Sequence, residues 1–177
     1  LGPAGLDWQQ IVIFVALASI VLGAVAAIGQ TNIKRLMAYS SINNVGFALI
    51  GLAAGTPAGA AATMSYMAIY VIMTIGGFAC ILQLRDTDGN AIEKIADLAG
   101  LSQSRKGLSA AFAIFMFSMA GIPPLFGFWA KFLVFDAAVA ADLTALAAFG
   151  IAASVIGAFY YLKVIKTMYF DEPTVAY

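Results

Sequence analysis

Apolar residues in this chain come in long unbroken runs, and the polar residues collect between them. A bilayer-crossing helix needs about 20 consecutive apolar residues. Five runs are long enough: 8–28, 33–54, 60–84, 108–135 and 143–170. Trp8 opens the first as an interfacial anchor. Gln30-Thr31-Asn32 links it to the second, with Thr31 or Asn32 placed to cap the second helix. Gly55-Thr56-Pro57-Ala58-Gly59 reads as a tight turn. The polar stretch 85–106 holds most of the charge. Within it, Asn90-Ala91-Ile92-Glu93 has the form of a capping box. Ile92, Ile95, Ala96 and Ala99 then recur on one face, so the spacing predicts a short amphipathic helix over 91–101 at the interface.

The fourth run carries its own interruption. An unbroken helix over 108–135 would be roughly 42 Å long at ~1.5 Å per residue. The hydrocarbon core is only ~30 Å thick. Pro123 and Pro124 have no N–H, so the carbonyls of Met119 and Ala120 lose their helical donors. Gly121 and Gly127 bracket the prolines and permit an irregular backbone. Lipid offers freed carbonyls nothing, so such a break belongs inside protein or beside a wet cavity. The predicted fold class is therefore all-α and integral to the membrane. It has five transmembrane helices, the fourth broken at Gly121–Gly127, and an odd number suits one unit of an inverted repeat.

Composition agrees with this class. Of 177 residues, 63% are hydrophobic and 10% charged, which no ordinary soluble domain tolerates. Formal net charge is zero, leaving no basic surface for nucleic acid. Cys80 is the single cysteine and there is no histidine, so the usual ligands for a metal or haem are missing. The expectation is that this chain binds no metal or redox cofactor. It opens Leu-Gly-Pro-Ala-Gly and reads as a segment of a longer subunit.

Charge sets the orientation. With five spans, Lys34, Arg35, Arg85, Lys94, Arg105, Lys106, Lys163 and Lys166 share one side. The other side has acids such as Asp7, Asp136 and Asp142. The positive-inside rule makes the basic side cytoplasmic. The start of the first helix is then periplasmic, and 85–106 is a cytoplasmic loop.

Lys131 is the leading candidate for chemistry. It follows the break and is the only charge between Lys106 and Asp136. Low-dielectric surroundings disfavour the charged form of an amine, which fits it to accept and release a proton. The bland alternative is a lysine that snorkels to the surface near Asp136. Lys34 opens the second helix, where it is either a positive-inside flank or part of a proton path. Tyr39, Ser40, Ser41, Asn43 and Asn44 place hydroxyls and amides in one spanning helix. Ser40 and Asn44 are four apart, as are Tyr39 and Asn43, so they share a broad face. Such groups hold either a water chain or helix–helix hydrogen bonds. Thr63, Ser65, Thr74, Ser118 and Ser154 are weaker candidates.

Three motifs in order carry a family resemblance. Gln30-Thr31-Asn32-Ile33-Lys34-Arg35-Leu36-Met37-Ala38-Tyr39-Ser40-Ser41-Ile42 resembles QTxxKRLLAYSSI. Ala120-Gly121-Ile122-Pro123-Pro124 with Gly127-Phe128 and Lys131-Phe132 resembles LAGIPPxxGFxxKF. Phe159-Tyr160-Tyr161-Leu162-Lys163-Val164-Ile165 resembles YYYLRVV. These motifs resemble the antiporter-like membrane subunits of proton-pumping NADH:quinone oxidoreductase (complex I), the subunit N type most closely. The resemblance implies two inverted five-helix repeats per subunit. This chain is similar to the second, helices nine to thirteen of about fourteen. It further implies that Lys131 sits mid-membrane in the broken helix, on a proton path toward the periplasm. Where many members carry histidine, this chain has Asn43-Asn44, so a relay through imidazole does not carry over. Where many have threonine or alanine after the prolines, it has Leu125-Phe126.

The expected function is proton translocation through a membrane half-channel, driven by quinone reduction elsewhere in the complex. Expected partners are other membrane subunits of complex I, the lipid bilayer and the rest of its own subunit. The expected location is the bacterial inner membrane. Two alternatives stand beside this reading. One is a subunit of a sodium/proton antiporter or membrane-bound hydrogenase. The other is a structural scaffold without an ion path.

Overall fold

The computed structural model describes residues 5–174. Helix α1 (Gly5–Ile28), α2 (Ile33–Ala53) and α3 (Pro57–Leu82) form the first part of a bundle. A polar connection then leads through a 3-10 turn (Ile95–Leu98) and the short α4 (Leu101–Ser104). Helices α5 (Lys106–Ala120), α6 (Phe126–Ala140) and α7 (Thr144–Phe170) complete it. Helices α1, α2, α3 and α7 are each long and apolar enough to cross a membrane. Helices α5 and α6 have 15 residues each, roughly 22 Å at 1.5 Å per residue. Neither alone matches the ~30 Å core. Ile11, Phe14, Leu22, Val25, Ile72, Ile75 and Val155 are exposed on the outside of the bundle, as membrane-facing positions should be. The protein is an integral membrane protein.

Local chemistry fixes the helix starts. The side chain of Asn32 accepts from the N–H groups of Lys34 (2.9 Å) and Arg35 (3.2 Å), so Asn32 rather than Thr31 caps α2. Thr56 caps α3 through the N–H of Gly59 (3.0 Å), and Pro57 occupies the first helical position, where a missing N–H costs nothing. Helices α1 and α2 lie nearly backbone to backbone. A Cβ at Gly23 would meet the backbone of Asn43 and Tyr39, and one at Gly46 would meet Ala16 and Ile20.

The basic residues gather at one end. There the chain near Asn32 runs antiparallel to that near Lys94, with Ile33 N–H on Glu93 O (2.7 Å) and Ile95 N–H on Thr31 O (2.8 Å). Arg105 donates to the carbonyl of Gln83, and Lys166 pairs with Asp171 (2.7 Å). At the opposite end Gln9 donates to Ala53 O (2.6 Å), beside the α2–α3 turn.

The predicted helix over 91–101 is not what forms. Residues 91–94 are extended, and only a 3-10 turn and one turn of α-helix follow. The reason is tertiary. Glu93 is drawn to Lys34 (2.7 Å), so it does not close a capping box on Asn90. Asn90 instead donates to Asp86 and closes a turn. Ile92, Ile95, Leu98 and Leu101 are buried and lid that end of the bundle. Asp86 and Glu93 lie between the candidate membrane-spanning helices. The Lys34 ammonium beside Glu93 holds its carboxyl below the usual range. Backbone hydrogen bonding from Asn90 does the same for Asp86.

Candidate functional site

The site grows out of how α5 ends. Gly121 adopts φ +82°, a left-handed conformation that glycine takes without a Cβ penalty. Its N–H bonds Ser118 O (3.0 Å) and that of Ile122 bonds Phe117 O (3.2 Å), the Schellman pattern. The chain then crosses the two prolines and restarts as α6 at Phe126. Gly127, expected inside the break, is already in the first turn of α6. Its N–H donates to the hydroxyl of Ser118 (3.1 Å), so a side chain from the last turn of α5 caps α6.

One carbonyl at this junction gains an unusual donor. The helical partner of Met119 O would be the N–H of residue 123, which is a proline. The ammonium of Lys131 donates to Met119 O instead (3.1 Å). The same Nζ donates to Ser154 Oγ on α7 (3.0 Å) and lies 5.1 Å from the ring centre of Phe47 on α2. Lys131 is only 7% exposed. Its amine therefore turns inward to the break and does not snorkel to the surface.

A second polar cluster is built on α2, α3 and α7. Asn44 is its hub. Its Nδ2 donates to Ser40 O (2.8 Å) and to Tyr161 OH (3.2 Å), and its Oδ1 accepts from Tyr66 OH (2.6 Å). Ser40 Oγ and Tyr161 OH share a further hydrogen bond. Asn43 Nδ2 donates to Tyr160 OH (2.9 Å), and Tyr70 OH donates to Ser41 Oγ (2.7 Å). Asn43 Oδ1 is buried without a partner among the described residues. Phe47 and Gly157 separate the two clusters. Phe47 follows Asn43 by one turn of α2, and a Cβ at Gly157 would lie 3.4 Å from both Asn43 Nδ2 and Tyr160 OH.

Not every sequence candidate joins these clusters. Lys34 is at the basic end of α2, where its ion pair with Glu93 leaves the two side chains 41% and 46% exposed. Tyr39 is half-buried beside the cluster, and its backbone carbonyl packs on Gly23. Thr63 bonds Ala48 O (2.8 Å) and Gly59 O (3.1 Å), which is helix packing.

The family follows from comparison of the whole chain. Residues 2–157 match the NADH:quinone oxidoreductase/Mrp antiporter transmembrane family. The chain belongs to this family. It is 71% identical over 176 residues to NADH-quinone oxidoreductase subunit N of Rhizorhabdus wittichii, covering 99% of this chain and 37% of that protein. It is 57% identical over 171 residues to subunit N 1 of Rhizobium meliloti, covering 97% and 36%. The chain thus spans about a third of the length of these relatives. Among solved structures, a chain of respiratory complex I from Thermus thermophilus with bound aureothin superposes with a TM-score of 0.81 at 30% identity, covering 95% of this chain and 38% of that one. A chain of the Mrp complex from Dietzia superposes with a TM-score of 0.85 at 27% identity, covering 94% and 31%.

Within this antiporter-family fold, several partners were not visible as partners in the sequence. The hydroxyls of Tyr160, Tyr161 and Tyr66 bond the amide groups of Asn43 and Asn44. Tyr66 and Tyr70 are four residues apart, so their shared helical face was the one available signal. Ser154 was only a weak candidate, and no local pattern tied it to Lys131.

Proposed function

We propose that this chain forms a proton-translocating half-channel of an NADH:quinone oxidoreductase membrane subunit, with Lys131 as its proton-carrying group. One observation carries the reading. The Lys131 amine is buried at a helix break, on the Met119 carbonyl and the Ser154 hydroxyl. An ionisable group held beside irregular backbone at membrane depth is the arrangement that ion pathways use. The cluster of Ser40, Ser41, Asn43 and Asn44 continues the polar route, and the open acceptor of Asn43 suits a water position. Lys34 belongs to the surface ion pair and lies outside that route.

In this proposal α5 and α6 in series make the fourth of five spans, and 85–106 is a cytoplasmic loop. The start of α1 is periplasmic, the end of α7 is cytoplasmic, and the membrane is the bacterial inner membrane. Labelling of cysteines placed at Ala58 and Gln103 from the same side would refute that orientation. The chain works with the rest of its subunit and with other membrane subunits of complex I. It holds no redox cofactor, and quinone reduction elsewhere drives it. The relatives named as NADH-quinone oxidoreductase subunits favour redox coupling over a sodium/proton antiporter, despite the likeness to the Mrp complex.

The test is proton translocation and quinone reductase activity in the whole complex, normalised to assembled enzyme. Lys131→Ala removes the titrating group and is expected to abolish most pumping. Lys131→Arg keeps a charge that does not deprotonate, so it assembles and turns over poorly. Lys131→Glu retains a titratable group and part of the activity. Wild-type pumping by an assembled Lys131→Ala complex would leave only a scaffold role.

A further inference from the structure

We propose that Asp136 is the proton acceptor for Lys131 at the mouth of its pathway, a step that rests on the half-channel reading above. A cavity of about 550 Å³ lies between α6 and α7, and Lys131 and Asp136 both line it. They are the two ionisable side chains of that lining. Ser154, already hydrogen-bonded to the Lys131 amine, lines it too. The rest of the wall is apolar, including Phe132, Phe135 and Val155, and offers no competing acceptor. Lys131 is buried, whereas Asp136 is exposed and makes no hydrogen bond or ion pair among the described residues. Its carboxylate is therefore unengaged, at the end of the bundle away from the basic residues.

Distance decides how the proton moves. Five residues along a helix separate the two groups axially by roughly 7.5 Å, too far for direct transfer. A water needs ~30 Å³, so the cavity has ample room for two or three in file. The Lys131 ammonium gives a proton to this file, beside or through the Ser154 hydroxyl, and becomes a neutral amine. Asp136 takes a proton from the outer end of the file and becomes a neutral acid. It then releases that proton to outer water, and Lys131 is recharged from the polar cluster on its other side. No bond other than O–H and N–H changes, and charge balances at each step.

The experiment uses the assembled complex in sealed vesicles with the Asp136 end facing a buffer of controlled pH. Asp136→Asn is expected to assemble and to lower pumping-coupled turnover by roughly tenfold. That is less than the ~10² of a positioned acid or base, because bulk water lies just beyond. It should also remove the dependence of turnover on that buffer's pH. Asp136→Glu should restore most turnover, and Asp142→Asn should resemble wild type. Val155→Trp should mimic Asp136→Asn by filling the cavity with both ionisable groups intact. Wild-type turnover in Asp136→Asn, or equal loss in Asp136→Asn and Asp136→Glu, overturns the assignment. If Lys131→Ala is inactive in the same series, the half-channel reading survives that failure; if Lys131→Ala is also normal, both fall.

Discussion

Gly127 packs against Ser118 so closely that a Cβ on the glycine would overlap the serine carbonyl, while its N–H bonds the serine hydroxyl. This contact joins the end of α5 to the start of α6 across the proline pair. It also sets the phase of α6, and so the direction in which Lys131 points.

Gly127→Ala should therefore act on the site through its geometry. Overpacking commonly costs about 1–3 kcal/mol, and here the obstacle is backbone, which yields little. The expected result is a lower yield of assembled complex, with a reduced melting temperature and weak pumping in what assembles. Normal melting and pumping would show that the two half-helices tolerate separation.

Ser154 accepts from the Lys131 amine and makes no contact with α5 through that bond. Hydrogen bonds to charged groups contribute ~1.5–3 kcal/mol. Ser154→Ala should slow pumping by about tenfold, since ~1.4 kcal/mol is tenfold in rate, and assembly should be unchanged. Ser154→Thr keeps the hydroxyl and should recover most of the rate. Equal loss in both variants would point to packing rather than to the amine.

The Asn44 hub should behave as structure first. Tyr66→Phe removes the donor to Asn44 Oδ1 and leaves a buried acceptor open. Hydrogen bonds between membrane helices contribute about 0.6–2 kcal/mol, so a drop of a few degrees in melting temperature is expected. Asn44→Leu strips partners from Tyr66, Tyr161 and Ser40 together, and its melting temperature should fall further. Thermal unfolding of the detergent-solubilised complex measures both.

Glu93, in the polar connection and paired with Lys34, gives a pH effect outside the candidate spanning helices. The Glu93 carboxyl is held below its ordinary value by Lys34, so its carboxylate form favours the folded loop. That contribution is present above the ordinary carboxylate range and is lost as pH falls through the lowered value. Protection of the Ile33 and Ile95 amides against hydrogen exchange, corrected for the intrinsic rate at each pH, should fall in acid, and in Glu93→Gln should be lower already at neutral pH. The exposed pair contributes little to global stability, so overall melting should scarcely move.

What the sequence determined by itself follows from solvent and from local covalent chemistry. Apolar runs of this length have few places to go but a membrane, and paired prolines remove two donors wherever they stand. Those facts placed the apolar helices, left Thr31 or Asn32 to cap α2, marked a turn at 55–59 and singled out Lys131. The loop over 91–101 was misread because its amphipathic spacing is local, whereas its conformation is set by Lys34 and the backbone near Thr31, some sixty residues earlier. The site depended on the same kind of distance. Met119, Ser154 and Phe47 meet the Lys131 amine from three different helices, and Tyr66 and Tyr161 meet Asn44 from two more directions. Side-chain spacing reveals which residues share a face of one helix. Only the packing of α2, α3, α6 and α7 against each other decided which faces meet.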